Sequence, residues 1–128
     1  MESFSSAVSH SLIRALDESA PFIDDPAATC HWREFLAPAR TLAASGKRTR
    51  ALLIAAGHEA FGGDGRPVYA GTAAELYQLS ALVHDDIIDE SHTRRGAPAS
   101  HRAFSATHAD LGMIGQAEDF GAKAAILL

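Results

Sequence analysis

Apolar positions along the chain recur at helical spacing and nowhere in the alternation of a half-buried strand. Phe4, Val8, Leu12 and Leu16 fall at intervals of four. They predict an amphipathic helix over about 2–16, broken by Pro21 and the Asp24-Asp25-Pro26 cluster. A second helix is expected over about 28–44, with Pro38 kinking or interrupting it. After a Ser45-Gly46 joint, a third helix has Leu52, Leu53, Ala56 and Ala60 as its apolar side and stops at Gly62-Gly63. The longest helix runs over about 68–90. Residues 91–98 read as a polar loop, 100–108 as a short helix, and a last helix begins near Glu118. The fold class is therefore all-α, one domain over 1–128, its helices joined by short connections that favour antiparallel packing.

Chemistry concentrates at the end of the longest helix. The run Leu82-Val83-His84-Asp85-Asp86-Ile87-Ile88-Asp89-Glu90 is followed at once by Arg94-Arg95-Gly96. A helix advances about 100° per residue, so Asp85 and Asp89 share a face one turn apart, with Asp86 at its flank. Gln78, Ala81, Asp85 and Asp89 continue that stripe, which reads as the wall of a cleft with a cation at its mouth; Leu76, Leu79, Val83 and Ile87 form a core-facing ridge on the other side. Three like charges at i, i+1 and i+4, near a helix C-terminus, are unfavourable unless a cation binds. Hard carboxylate oxygens point to Mg²⁺, completed by water and substrate phosphates. The alternative is a solvated acidic turn.

A second charged cluster opens the third helix. In Gly46-Lys47-Arg48-Thr49-Arg50, Lys47 and Arg50 share a face and Arg48 turns away. Cations at a helix N-terminus are misplaced unless an anion lies between them, and a diphosphate suits them. The alternatives are a solvated basic turn or salt bridges to the aspartates. Arg94 and Arg95, adjacent in a loop, can reach different ligands.

Composition adds limits. Hydrophobic residues make up 47% of 128, enough for a core, and aromatics only 7%, which favours helices. The net charge of −5 does not point to nucleic acid. The single cysteine, Cys30, excludes an intrachain disulfide and reads as a small, partly buried side chain. No run suits a signal peptide or a bilayer span, so a soluble cytoplasmic protein is expected.

Gly46-Lys47-Arg48-Thr49-Arg50, then Asp85-Asp86-Ile87-Ile88-Asp89, then Arg94-Arg95-Gly96, resembles the amino-terminal half of the trans-isoprenyl diphosphate synthases, or polyprenyl synthetases. His101 and the closing Ala-Ala-Ile-Leu-Leu fit the same family, and the resemblance covers about 45–128. It implies an isoprenoid-synthase-type helical bundle around a deep cavity, Mg²⁺ as cofactor, and head-to-tail condensation of an allylic diphosphate with isopentenyl diphosphate. By that resemblance Asp85, Asp86 and Asp89 are the catalytic acids, and Asp85 and Asp89 bind metal. Arg94 contacts the allylic diphosphate; Lys47, Arg50, Gln78 and Arg95 hold isopentenyl diphosphate. Ser80 and Ala81 occupy the positions where bulk floors the tail cavity. Both are small, which implies geranylgeranyl diphosphate or a longer product.

The resemblance further implies a homodimer, with no nucleic-acid partner. Ala51 stands where the family often has proline. Asp110, Glu118 and Asp119 do not form the family's second aspartate-rich motif, so residues 1–128 are expected to be the amino-terminal part of a single polyprenyl synthetase domain, inactive alone. Two other readings stand beside this one. One is a non-catalytic short partner of a full-length synthase. The other is an HD-type metal phosphohydrolase built on His84-Asp85 with His31, His58 and His101.

Overall fold

The computed structural model describes residues 3–19 and 25–128. The expected helix start at Glu2 and the breakers Pro21 and Asp24 lie outside them. The architecture is all-α: α1 (Phe4–Glu18), α2 (Pro26–Ala43), α3 (Thr49–Ala60), α4 (Val68–Ile88), a small hairpin β1 (Thr93–Arg94) and β2 (Ala97–Pro98), then α5 (Ser100–Asp110) and α6 (Ala117–Ile126).

Local signals account for the helix starts. Ser3 Oγ accepts the Ser6 N–H (3.1 Å) and Asp25 Oδ1 accepts the Ala27 N–H (2.9 Å), so each caps its helix. Pro26 occupies the first turn of α2, where a missing N–H costs nothing. The interruption expected at Pro38 does not occur; α2 runs through it, and the buried Leu36, Ala39, Leu42 and Ala43 hold the helix against that lost hydrogen bond.

α4 is the central element, packed on α1 and α3 along one side and on α5 and α6 along another. Leu12, Leu42, Ala43, Leu79, Val83, Phe104 and Ala125 form the core, extended by Phe35, whose ring stacks on Phe104 at 5.4 Å. The third helix departs from its expected apolar side. Leu52 and Leu53 are exposed, and Ala51 is its buried residue. The reason is close approach: a Cβ on Gly71 would lie 3.0 Å from Ala51 Cβ and 3.3 Å from Phe4 and Val8. The absent side chain of Gly71 thus lets Ala51 of α3 and Phe4 and Val8 of α1 close on α4. Cys30, expected partly buried, is exposed.

Candidate active site

The ridge of α4 that faces the core is not wholly apolar. Leu79 and Val83 are buried as expected, but Leu76 and Ile87 are only half-buried, and the ridge continues through Thr72, Glu75 and Asp86. Asp86 is 1% exposed, so it is a core residue rather than a flank of the acidic face. Two carboxylates inside a core require partners, and each takes an arginine from one of the basic motifs.

Arg94 serves Asp86. Its Nε donates to Asp86 Oδ1 at 2.8 Å and its Nη2 to the same oxygen at 2.5 Å, while Nη2 also donates to Asp85 Oδ2 at 3.0 Å. These contacts, led by the bond to Asp86, raise the Arg94 pKa above its ordinary value against the opposing effect of burial. Arg48 serves Glu75: the two side chains are buried, with Nη1 to Oε2 at 3.9 Å. Neither pairing was read from the sequence. The signal was available in Glu75, which stands four residues before Leu79 on a ridge that should be apolar.

The polar loop expected at 91–98 is a hairpin, with Thr93 opposite Pro98 and Arg94 opposite Ala97. Arg95 and Gly96 form its two-residue turn, both with positive φ (54° and 82°), the signature of a type I′ turn. This geometry sends the adjacent arginines to different places. Arg94 reaches the acids of α4. Arg95 reaches back to the end of α2, where its Nη1 donates to the carbonyls of Leu42 (3.0 Å) and Ser45 (2.5 Å). Ser45 lies two residues before Lys47, so one hairpin joins the acidic end of α4 to the basic α2–α3 joint.

The remaining predicted residues, Gln78 excepted, lie on open surface. Asp85 and Asp89 are both exposed, and the Asp89 N–H donates to the Asp85 carbonyl at 2.8 Å, which keeps them stacked past the helix end. Lys47, Arg50, Ser80 and Ala81 are exposed and Gln78 is half-buried. A cavity of about 980 Å³ lies between α2, α5 and α6, walled by Phe35, Phe104 and Phe120. Of the predicted residues only Asp86, Arg94 and Arg95 line it; Ser80 and Ala81 do not.

A closed metal cage is absent among the described residues. The donor set fits a different kind of site: two exposed carboxylates one turn apart, as Mg²⁺ uses when water and substrate phosphates supply its other ligands. Asp85 and Asp89 would hold it, and Asp86, committed to Arg94, would not. Among the described residues the hydrolase constellation is not formed, since no three His, Cys, Asp or Glu side chains converge to hold a metal. His31, His58, His84 and His101 stand on four separate helices, and His84 Nδ1 lies 2.9 Å from the Ser80 carbonyl. His101 is buried, its Nδ1 without a partner among the described residues; burial first, then the charge of Arg102, lower its pKa, while Asp86 raises it.

No helix among the described residues is long and apolar enough to cross a membrane. In comparisons with known proteins, a geranylgeranyl diphosphate synthase of Sulfolobus acidocaldarius is 46% identical over 57 residues, 44% of this chain and 17% of the relative. The chloroplastic geranylgeranyl pyrophosphate synthase 12 of Arabidopsis thaliana is 42% identical over 67 residues, 50% of this chain and 19% of the relative. The crystal structure of geranylgeranyl pyrophosphate synthase from Corynebacterium glutamicum, complexed with isoprenyl diphosphate and magnesium, superposes with a TM-score of 0.74 at 32% identity. That match takes in 97% of this chain and 36% of the other, so the chain spans about a third of that protein's length. The sequence profile of the polyprenyl synthetases matches residues 33–114, and with the three motifs and the helical fold in agreement, the chain belongs to the polyprenyl synthetase family.

Proposed function

We propose that the chain supplies the first aspartate motif and the isopentenyl diphosphate site of a Mg²⁺-dependent trans-prenyltransferase, as the amino-terminal part, residues 1–128, of a single synthase domain. The observation that carries the reading is the hairpin. Its two arginines reach Asp85 and Asp86 on one side and the Ser45 carbonyl, just before Gly46-Lys47, on the other, which supports reading the two charged clusters as parts of one site.

In that site Asp85 and Asp89 hold Mg²⁺, which supplies charge neutralisation to a departing diphosphate. Arg94 orients the allylic diphosphate through Nη1, which makes no hydrogen bond among the described residues. Lys47, Arg50, Gln78 and Arg95 hold isopentenyl diphosphate, and Asp86 keeps Arg94 charged and aimed. The small Ser80 and Ala81, one turn before Asp85 on the open face, support a geranylgeranyl or longer product, in line with the names of the relatives.

The openness of that face bears on activity. Asp85 keeps 54% of its side-chain surface in water. An allylic cation generated beside it would meet solvent before a second substrate. Incubating the chain with an allylic diphosphate, isopentenyl diphosphate and Mg²⁺ is expected to give negligible condensation product, whereas calorimetry is expected to show Mg²⁺-dependent binding of pyrophosphate that is lost in Asp85→Asn and Lys47→Ala. Absence of any pyrophosphate binding by the wild-type chain refutes the site; robust product from the chain alone refutes its incompleteness.

A second reading, a non-catalytic subunit, has its own support: Tyr77 and Ile88, both more than three-quarters exposed, flank the same face of α4. Light scattering of the chain alone and mixed with a full-length synthase separates the two, because a subunit forms a stoichiometric complex of defined mass.

A further inference from the structure

Arg48 stands between the two exposed cations of its motif, yet it is 4% exposed and takes part in none of the roles above. Its backbone is left-handed, φ 53° and ψ 35°, at the position that caps α3. Helix-capping residues ordinarily adopt extended backbone, and a non-glycine residue held in the left-handed region carries strain that its surroundings must offset.

The surroundings are unusually complete. Nε donates to Ser9 Oγ of α1 at 2.9 Å, Nη1 to the Ser45 carbonyl at 3.1 Å, and Nη2 to the Ala43 carbonyl at the end of α2. Nη1 also faces Glu75 of α4, whose other oxygen accepts the Ala51 N–H at 3.3 Å. One planar guanidinium thereby joins α1, α2 and α4 at the first turn of α3. The Ser45 carbonyl is shared with Arg95, so this network meets the hairpin.

We propose that Arg48, paired with Glu75, is a positioning residue for diphosphate binding: it holds the start of α3 in its left-handed turn, and that turn sets the relative aim of Lys47 and Arg50. The inference rests on the diphosphate site proposed above. Lysine cannot replace the fork, since one ammonium cannot serve three helices from one plane. The Glu75 carboxylate does two things at once, balancing the buried charge and fixing Ala51. A proline at position 51 has no N–H to give it, so Ala51 is part of the same device.

The test is calorimetric titration of pyrophosphate with Mg²⁺ into the wild-type chain, Arg48→Lys, Glu75→Gln and the double variant, with circular dichroism on each. The expected result is at least a tenfold weaker Kd for Arg48→Lys with helix content retained. Glu75→Gln is expected to weaken binding several-fold, and the double variant to bind no more weakly than Arg48→Lys, because the pair acts as a unit. A folded Arg48→Lys chain that binds pyrophosphate like the wild type overturns the proposal. Should Arg48→Lys fail to fold, Glu75→Gln decides, since glutamine still accepts the Ala51 N–H; a wild-type Kd there overturns it equally. Failure of the wild type itself to bind refutes the underlying site, a result distinct from unchanged binding in the variants.

Discussion

Arg94 donates twice to a single oxygen of Asp86, a carboxylate sealed into the core beside Val83 on the buried ridge of α4. The pair holds the hairpin against the helix that carries the acidic motif. Removing one member of such a pair leaves the other charge without compensation, which costs more than the pair itself contributes. Arg94→Ala is therefore expected to destabilise the chain by about 3 kcal/mol, read as a lower urea midpoint. Asp86→Asn, which keeps shape and one acceptor, should cost less. Equal midpoints for wild type and Arg94→Ala would show that Asp86 does not need its partner.

Asp85 and Asp89 are expected to behave in the opposite sense. Both are exposed acids at the C-terminal end of α4, Asp85 in its last turn and Asp89 at its cap, where the helix dipole and each other's charge oppose them. Asp89→Asn should stabilise the fold slightly, by about 0.3–1 kcal/mol at low ionic strength, while weakening Mg²⁺-dependent pyrophosphate binding at least tenfold. A stability gain together with a loss of binding marks a residue kept for its ligand. A loss of both would make Asp89 a structural residue.

Much of this was legible in the sequence because it rests on periodicity and local chemistry. Val8 and Leu12 pack where intervals of four place them, whereas the stripe through Gln78, Ala81, Asp85 and Asp89, read as a cleft wall, does not line the cavity: Gln78 is half-buried and the other three are exposed. What escaped depends on contacts across the chain. Ala51 is buried because Gly71 lets α4 approach, a fact that no pattern within α3 contains. Asp86 looked like a third member of an acidic cluster, since its partner Arg94 comes from a different element. The hairpin was hidden because its turn is Arg95-Gly96, without the Asn-Gly or Asp-Gly that ordinarily announces a type I′ turn. Leu52, Leu53, Ala56 and Ala60 are all exposed, so hydrophobicity alone gave the wrong side of α3.

The end of α4 offers a sharper test of backbone. The Ser91 N–H donates to the Asp86 carbonyl at 2.9 Å and the Glu90 N–H to Ile87 at 3.3 Å, a Schellman closure. Its left-handed position is held by Glu90 (φ 51°), where glycine is the usual residue. Glu90→Gly should raise stability by about 1 kcal/mol by removing the Cβ clash, offset in part by the entropy of a more flexible unfolded chain. The mirror experiment is Gly96→Ala, whose φ of 82° a side chain rarely tolerates; it should destabilise the hairpin and loosen both arginines. Thermal melts of the two variants moving in opposite directions would bear this out, and a shared direction would refute it.

His101 gives the fold a pH dependence of defined sign. Burial, reinforced by Arg102 and His92 and opposed by Asp86, lowers its pKa from 6.5, so the folded chain favours the neutral ring. Below that value the unfolded chain binds more protons than the folded one, and stability rises with pH wherever this holds. The contribution is thus fully present above about pH 6.5 and is lost as the pH falls towards and through the depressed folded value. Urea midpoints should decline between pH 7.5 and 5, and His101→Gln, which cannot take up a proton, should flatten that decline. Nδ1 makes no hydrogen bond among the described residues, so none there offsets the charge that protonation would bring, and Asp86 is already engaged by Arg94. A wild-type midpoint that holds steady over this range, or a decline that His101→Gln leaves intact, would assign the acid sensitivity to other groups.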